Sequence, residues 1–278
     1  MYPKPFDSLF NASTAVLLLT LIAVSFPADT ATSVAACTPN ATAPQLSQTA
    51  AGYTGRVIIL PGVGNTKFHL AGFVERARQQ LPDFAVEVRS WGIPFLTLHN
   101  LRAHQKNLTV ARQIAAEIVD WRRSHPDELL YLVGYSGGGG MAGLVVSELP
   151  DGISIDRLLL VAAAISPTYP IEQSVLPRVN EFVANFSSER DLQVGLGTRI
   201  FGTIDRVNSD SAGAVGFVSR HQDLLEWRWS PPAQEYGHHG NHLSYLGRRW
   251  QDATLLPTLD PRLSAEQIVA GWSLSCGV

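Results

Sequence analysis

The sequence predicts an α/β protein built on a mainly parallel central sheet with helices on both faces. Strand-like and helix-like segments alternate from about residue 55 to residue 165. The strand-like segments are mostly continuous apolar runs, so both faces of their sheet must be covered, and sheets covered on both faces are mainly parallel.

RVIIL (residues 56–60) is a β-branched run stopped by Pro61-Gly62, the signature of a buried strand. HLAGFVERARQQL then brings Leu70, Phe73, Val74 and Ala77 to one side of a helix. FAVEVRSW alternates like a strand. In NLTVARQIAAEIVDWRRSH, Val110, Ile114, Ile118 and Trp121 follow steps of three and four, which makes a long amphipathic helix. ELLYLVGYS is the next strand, GMAGLVVSEL a helix and DRLLLVAAAI a further continuous strand. NEFVANFSSERD and DLLEWRW read as later strands, and LSYLGRRWQDATLL as a closing helix. Residues 53–278 are expected to form a single domain with a small cap or none.

Composition narrows the function. The chain has 278 residues, 45% of them hydrophobic, with a net charge of −3 from 24 acidic and 21 basic residues. That balance leaves no basic footprint for nucleic acid. At the N-terminus, AVLLLTLIAV (residues 15–24) is too short to span a bilayer core of about 30 Å, and small residues follow in ATSVAAC. Residues 1–36 therefore read as a signal peptide, cleaved after Ala35 or Ala36, and the mature protein as exported with no transmembrane span. Val34-Ala35-Ala36-Cys37 also resembles a lipoprotein box, which makes Cys37 a candidate lipid anchor. Residues 37–52 read as a linker. Cys37 and Cys276 are the two cysteines of the chain and allow one bridge in an oxidising compartment, but no thiolate metal site. Asn40, Asn107 and Asn185 lie in glycosylation-type triplets.

The chemistry concentrates at Gly134-Tyr135-Ser136-Gly137-Gly138, a G-x-S-x-G pattern between a buried strand and a helix. That is the setting of a nucleophile elbow, where a serine sits on a strained turn above the sheet. Bulky flanking residues would collide with the neighbouring strand and helix, and glycines remove the collision. Gly139 and Gly140 exceed the motif. They are expected to let the helix pack closely on the sheet or a substrate approach its first turn, and Gly140→Ala is expected to be mild. The helix start favours negative charge near Ser136. The Gly137 N–H is placed to donate to a developing oxyanion. A second donor is expected from the loop after the first strand, at Val63, with Gly64 as the rival.

This succession of strand, PGVG loop, helix, strand, helix, strand, GYSGGG and helix resembles the α/β-hydrolase fold of serine esterases and lipases, over roughly residues 55 to 255. Pro61 departs from the pattern, standing where many lipases have His. The resemblance implies a triad in the chain order serine, acid, histidine. Asp191, just past an apolar run, is the expected acid, with Glu189 as the alternative if the strand ends sooner. Asp205 and Asp223 read as solvated loop charges. The loop after the last strand offers His238, His239 and His242. His242 is the expected base because Gly240-Asn241 permits a reversal before it, while Leu243, Leu246 and Trp250 can anchor the chain after it. His238 and His239 are expected at the mouth of the site. The implied activity is cleavage of a small-molecule or lipid ester through an acyl-enzyme, without metal or other cofactor. An amidase or peptidase with the same triad, or a catalytically silent binding protein on the same fold, are the alternatives.

Overall fold

The computed structural model describes residues 52–276, so the signal segment, Cys37 with its bridge to Cys276, and Asn40 lie outside the described residues. All of the described residues belong to one of two compact units, Ala41–Val278. Six strands, β1 (Gly55–Leu60), β2 (Phe84–Val88), β3 (Leu129–Tyr135), β4 (Ile155–Val161), β5 (Val179–Ser187) and β6 (Leu224–Arg228), make one sheet in the order β2-β1-β3-β4-β5-β6. Every pair is parallel. The longer helices are α1 (Ala71–Gln80), α2 (Thr97–Arg102), α3 (His104–Ser124), α4 (Gly137–Ser147), α5 (Leu192–Phe201) and α6 (Ala265–Cys276).

Successive residues of a strand point to opposite faces, and β3 shows the consequence. Tyr131 and Val133 enter one core with Phe73 and Ala77 of α1 and Trp272 of α6, whereas Leu130 and Leu132 enter the other with Ile114 of α3 and Met141 and Val145 of α4. Both faces are therefore covered, as the continuous apolar runs require. Among the described residues, no helix is long and apolar enough to cross a membrane.

The strand order reverses between β1 and β3: β2 lies on one side of β1 and β3 on the other. In open parallel sheets such a switch point leaves a crevice beyond the carboxyl ends of the strands. Leu60 pairs with Gly134 at that end, so the loops leaving β1 and β3 emerge side by side. This register places the PGVG loop beside the serine elbow.

Several sequence expectations are corrected. β4 stops at Val161 instead of running through Ile165, because Ala162 turns to φ 49 and the Ala164 N–H donates to the Ser136 carbonyl at 3.0 Å. LSYLGRRWQDATLL is not one helix: an extended Gly247 (φ −67, ψ 127) separates the turn His242–Leu246 from continuous helical turns over 248–259 that pass from α through π to 3-10 geometry. Those turns bury Trp250, Leu255, Leu256 and Leu259 together. The closing helix is α6, and α5 adds a helix where the sequence pattern shows none. Asn107 and Asn185 are both buried, and their amide groups donate to the carbonyls of Asn100 (2.8 Å) and Ala212 (3.1 Å). Neither can accept a glycan in the folded chain.

Candidate active site

Ser136 ends β3 and caps α4 with φ 58 and ψ −122, a conformation that L-residues other than glycine seldom adopt. Neighbouring backbone holds it there: its N–H donates to Val161 O at 2.8 Å, and its carbonyl accepts from Gly139 N (2.9 Å) and Ala164 N (3.0 Å). With both backbone groups engaged, the side chain is directed by a rigid frame. The residue is 7% exposed, and among the described residues its hydroxyl makes no hydrogen bond.

The glycines around it are demanded by close approach. A Cβ on Gly134 would meet the Gly138 backbone, one on Gly138 the carbonyls of Leu60 and Pro61, and one on Gly137 the Val63 side chain. The expectation for Gly140 is corrected: a Cβ there would lie 2.7 Å from Ile204 Cγ1 and 2.9 Å from Ala164 O. Gly139 and Gly140 therefore serve tight packing of α4 against the segment leaving β4. Gly140→Ala is expected to lower the melting temperature measurably, and Gly137→Val to damage both stability and activity, by thermal unfolding and ester assay of the same preparations.

The loop after β1 is fixed at every carbonyl. Trp91 Nε1 donates to Pro61 O (2.6 Å), Asn65 N to Gly62 O (2.7 Å), Asn100 Nδ2 to Val63 O (2.8 Å) and Phe95 N to Gly64 O (2.9 Å). In a trans peptide the C=O and the next N–H point in opposite directions. Anchoring Gly62 O on Asn65 thus turns the Val63 N–H the other way. Val63 N would stand 3.2 Å from a Cβ on Gly137, and Gly62 lies against the Ser136 side chain. As first-turn residues of α4, Gly137 and Gly138 have no acceptor one turn earlier. Backbone donors from two loops therefore meet beside the serine. Asn100 was missed by sequence reading because an asparagine in a short polar stretch carries no motif. It is 1% exposed and also bonds both the N–H and the C=O of Ile93.

Asp191 follows β5 and caps α5. Its Oδ1 accepts from Val194 N at 3.1 Å, and its Oδ2 lies 2.6 Å from His242 Nδ1. The carboxylate is buried while the imidazole keeps some solvent access. Tyr135, the residue before Ser136, stacks on the His242 ring with centroids 4.9 Å apart and donates its hydroxyl to His242 O at 2.9 Å. Burial raises the Tyr135 phenol well above its ordinary pKa, so it stays a donor. Asn241 Oδ1 accepts from Ser244 N at 3.1 Å and starts the turn that carries His242.

The other candidates fall elsewhere. Glu189 is exposed. Asp205 is not a solvated charge, since it accepts from Ser166 N (2.9 Å) and Ser166 Oγ (2.5 Å). Asp223 pairs with His221 at 3.5 Å. His239 is exposed. His238 does not line the site: it is wholly buried among Trp227, Tyr245 and Trp250 and accepts from Gly240 N at 3.1 Å.

Burial depresses the His238 imidazole from its usual 6.5 to about 3. The unfolded chain then binds the extra proton between those values, so stability is complete above about pH 6.5 and falls as pH drops through that window. The expected slope is about 1.4 kcal/mol per pH unit. Urea unfolding at pH 7 and pH 5 measures it, and His238→Phe should flatten the difference.

No family model and no curated protein matches the chain. Solved structures similar to it include the ydeN gene product from B. subtilis, at 13% identity and a TM-score of 0.44 over 68% of this chain and 88% of that one. RedJ-thioesterase from the prodiginine biosynthetic pathway in Streptomyces coelicolor is 16% identical, with a TM-score of 0.43 over 77% of this chain and 92% of its own. Esterase PE8 is 15% identical, with a TM-score of 0.40 over 81% and 93%.

Proposed function

We propose that this chain is a serine hydrolase of the α/β-hydrolase type that cleaves a carboxylic ester through an acyl-enzyme. The observations that support the reading are a strained serine elbow beside a carbonyl-anchored loop at the β1–β3 switch point, and the stacking of Tyr135, the residue before the serine, on an imidazole that a buried carboxylate holds. In this mechanism Ser136 attacks the carbonyl carbon and His242 takes its proton. The tetrahedral oxyanion is held by the N–H groups of Val63 and Gly137. Collapse expels the alcohol, which His242 protonates, and water repeats the sequence on the acyl-enzyme. Asp191 keeps the Nδ1 proton in place and stabilises the imidazolium. The mechanism requires the Ser136 hydroxyl and the His242 imidazole to meet in the substrate complex, where such contacts tighten.

A fluorophosphonate probe tests the activated serine, because a silent binding protein on this fold takes up no label. A panel of p-nitrophenyl esters against matching anilides then separates an esterase from an amidase or peptidase. We further propose export, directed by residues 1–36. Cell fractionation and the N-terminal mass of the mature chain check it, and with it lipid on Cys37.

The loop carbonyls supply a separate prediction. Asn100→Ala frees the peptide plane between Val63 and Gly64, which adjoins the plane carrying the Val63 N–H, so the loosened loop should lower kcat by about tenfold or more while KM changes little, because oxyanion donors act mainly in the transition state. Binding of a boronic acid analogue should weaken in parallel.

A further inference from the structure

Tyr135 directly precedes Ser136 and touches His242 twice. Its ring stacks on the imidazole, with centroids 4.9 Å apart and the two planes 30° from parallel. Its hydroxyl donates to the main-chain carbonyl of the same residue at 2.9 Å. One side chain thus holds both the plane of the imidazole and the backbone that carries it. The same ring fits against the loop after β1, where its Cδ1 stands 3.6 Å from the position of a Cβ on Gly62. Asp191 grips the imidazole at a different place, with Oδ2 2.6 Å from Nδ1. A single carboxylate contact leaves a ring free to swing about that bond. A stacked face and an anchored carbonyl remove the freedom, which is how a side chain is held to the tolerance that catalysis needs.

Tyr135 and Ser136 share a peptide bond, and the strained Ser136 backbone is itself fixed by its bonds to Val161, Gly139 and Ala164. Whatever holds His242 to Tyr135 therefore also sets it relative to the elbow. On the serine hydrolase reading, we infer that Tyr135 is the positioning residue that registers the base against the nucleophile. The hydroxyl fixes the main chain of His242, and the ring fixes the plane of its imidazole. The aromatic face also lies within about 6 Å of the imidazolium formed when the serine gives up its proton, a range in which a ring attracts a cation. A residue that only filled space beside β3 would need neither the hydroxyl nor the aromatic face.

The test compares Tyr135→Phe, which keeps the ring and loses the hydroxyl bond, with Tyr135→Leu, which loses both. Circular dichroism and thermal unfolding check the fold, and p-nitrophenyl acetate serves as the substrate. Tyr135→Phe should lower kcat about fivefold, the effect of one neutral hydrogen bond. Tyr135→Leu should lower it about a hundredfold, the effect of misplacing a reacting group by about 1 Å. In both, KM should stay within about twofold, because the contacts act on the base and not on bound substrate. Fluorophosphonate labelling should slow in the same order. The imidazole supplies a readout independent of turnover. The proton on His242 Nδ1, assigned by its loss in Asp191→Asn, should give a sharp downfield resonance in the wild type and in Tyr135→Phe. In Tyr135→Leu it should broaden by exchange with solvent. Tyr135→Met repeats the comparison if the leucine variant fails to fold. Near-wild-type kcat in both variants, or an unchanged resonance without the ring, overturns the positioning role. So does a lowered melting temperature with kcat and KM of the folded protein unaltered, the mark of packing alone. A wild-type chain that takes up no fluorophosphonate and cleaves no ester removes the hydrolase reading instead, and the resonance still decides whether Tyr135 holds the imidazole.

Discussion

Ser136→Ala will yield a folded protein that no longer cleaves esters or takes up a fluorophosphonate. The expected loss in kcat is about 10⁵-fold or more, the scale on which removing a serine nucleophile acts in comparable triads. Folding should survive because the hydroxyl makes no hydrogen bond among the described residues, while the backbone bonds to Val161, Gly139 and Ala164 are independent of the side chain. Alanine still occupies φ 58 at a cost, but so does serine, and neither is β-branched. Stability should therefore change by less than about 1 kcal/mol. Near-wild-type turnover in a folded Ser136→Ala would remove the elbow from the chemistry altogether.

Asp191→Asn will lower kcat by about 10⁴-fold with KM little altered. Asparagine can keep the cap on α5, because its Oδ1 still accepts from Val194 N. Its amide N–H₂ then occupies the position 2.6 Å from His242 Nδ1, where the carboxylate Oδ2 lay. Nδ1 must become an acceptor, so the ring proton moves to Nε2. That is the atom that has to accept the serine proton, and the imidazole is left in the wrong tautomer for a base. The conservative replacement thus separates chemistry from structure. Asp191→Ala would also lose the cap, worth about 1 kcal/mol. Glu189→Gln, on an exposed side chain, should leave turnover unchanged. A large loss in Glu189→Gln with none in Asp191→Asn would transfer the acid's role to Glu189.

The sheet was legible in the sequence because a strand covered on both faces has to be apolar along its covered length, as residues 57–60 and 130–133 are, and the turn signals that bound these short runs favour strand over helix. The elbow was legible because close backbone approach excludes side chains, and glycine spacing records that exclusion directly. The segment leaving β5 was much harder to read. α5 carries Gly195, Gly197 and three exposed apolar residues, a pattern in which helical periodicity does not sort buried from solvated positions. The stretch after His242 has apolar spacing for one helix, yet an extended Gly247 splits off its first turn and the helical run over 248–259 changes geometry along its length.

By itself, then, the sequence determined the parallel architecture, the serine and its glycines, and a short set of acids and histidines from which partners could come. Tertiary structure pairs two members of that set and sends others elsewhere. Only the fold brings Asp191 and His242, 51 residues apart, to 2.6 Å, and sends the neighbouring His238 into an aromatic core. It also made Asn100 matter, through bonds to carbonyls that no local pattern announces, and turned Gly140 from a permissive helix position into a packing constraint. The physical reason is one of range. Burial patterns and the elbow's demand for glycine are written in a few consecutive residues, even where the excluding atoms, those of Leu60, Pro61 and Val63, are distant in the chain, whereas charge pairing and peptide orientation depend on which particular groups the completed sheet order places side by side.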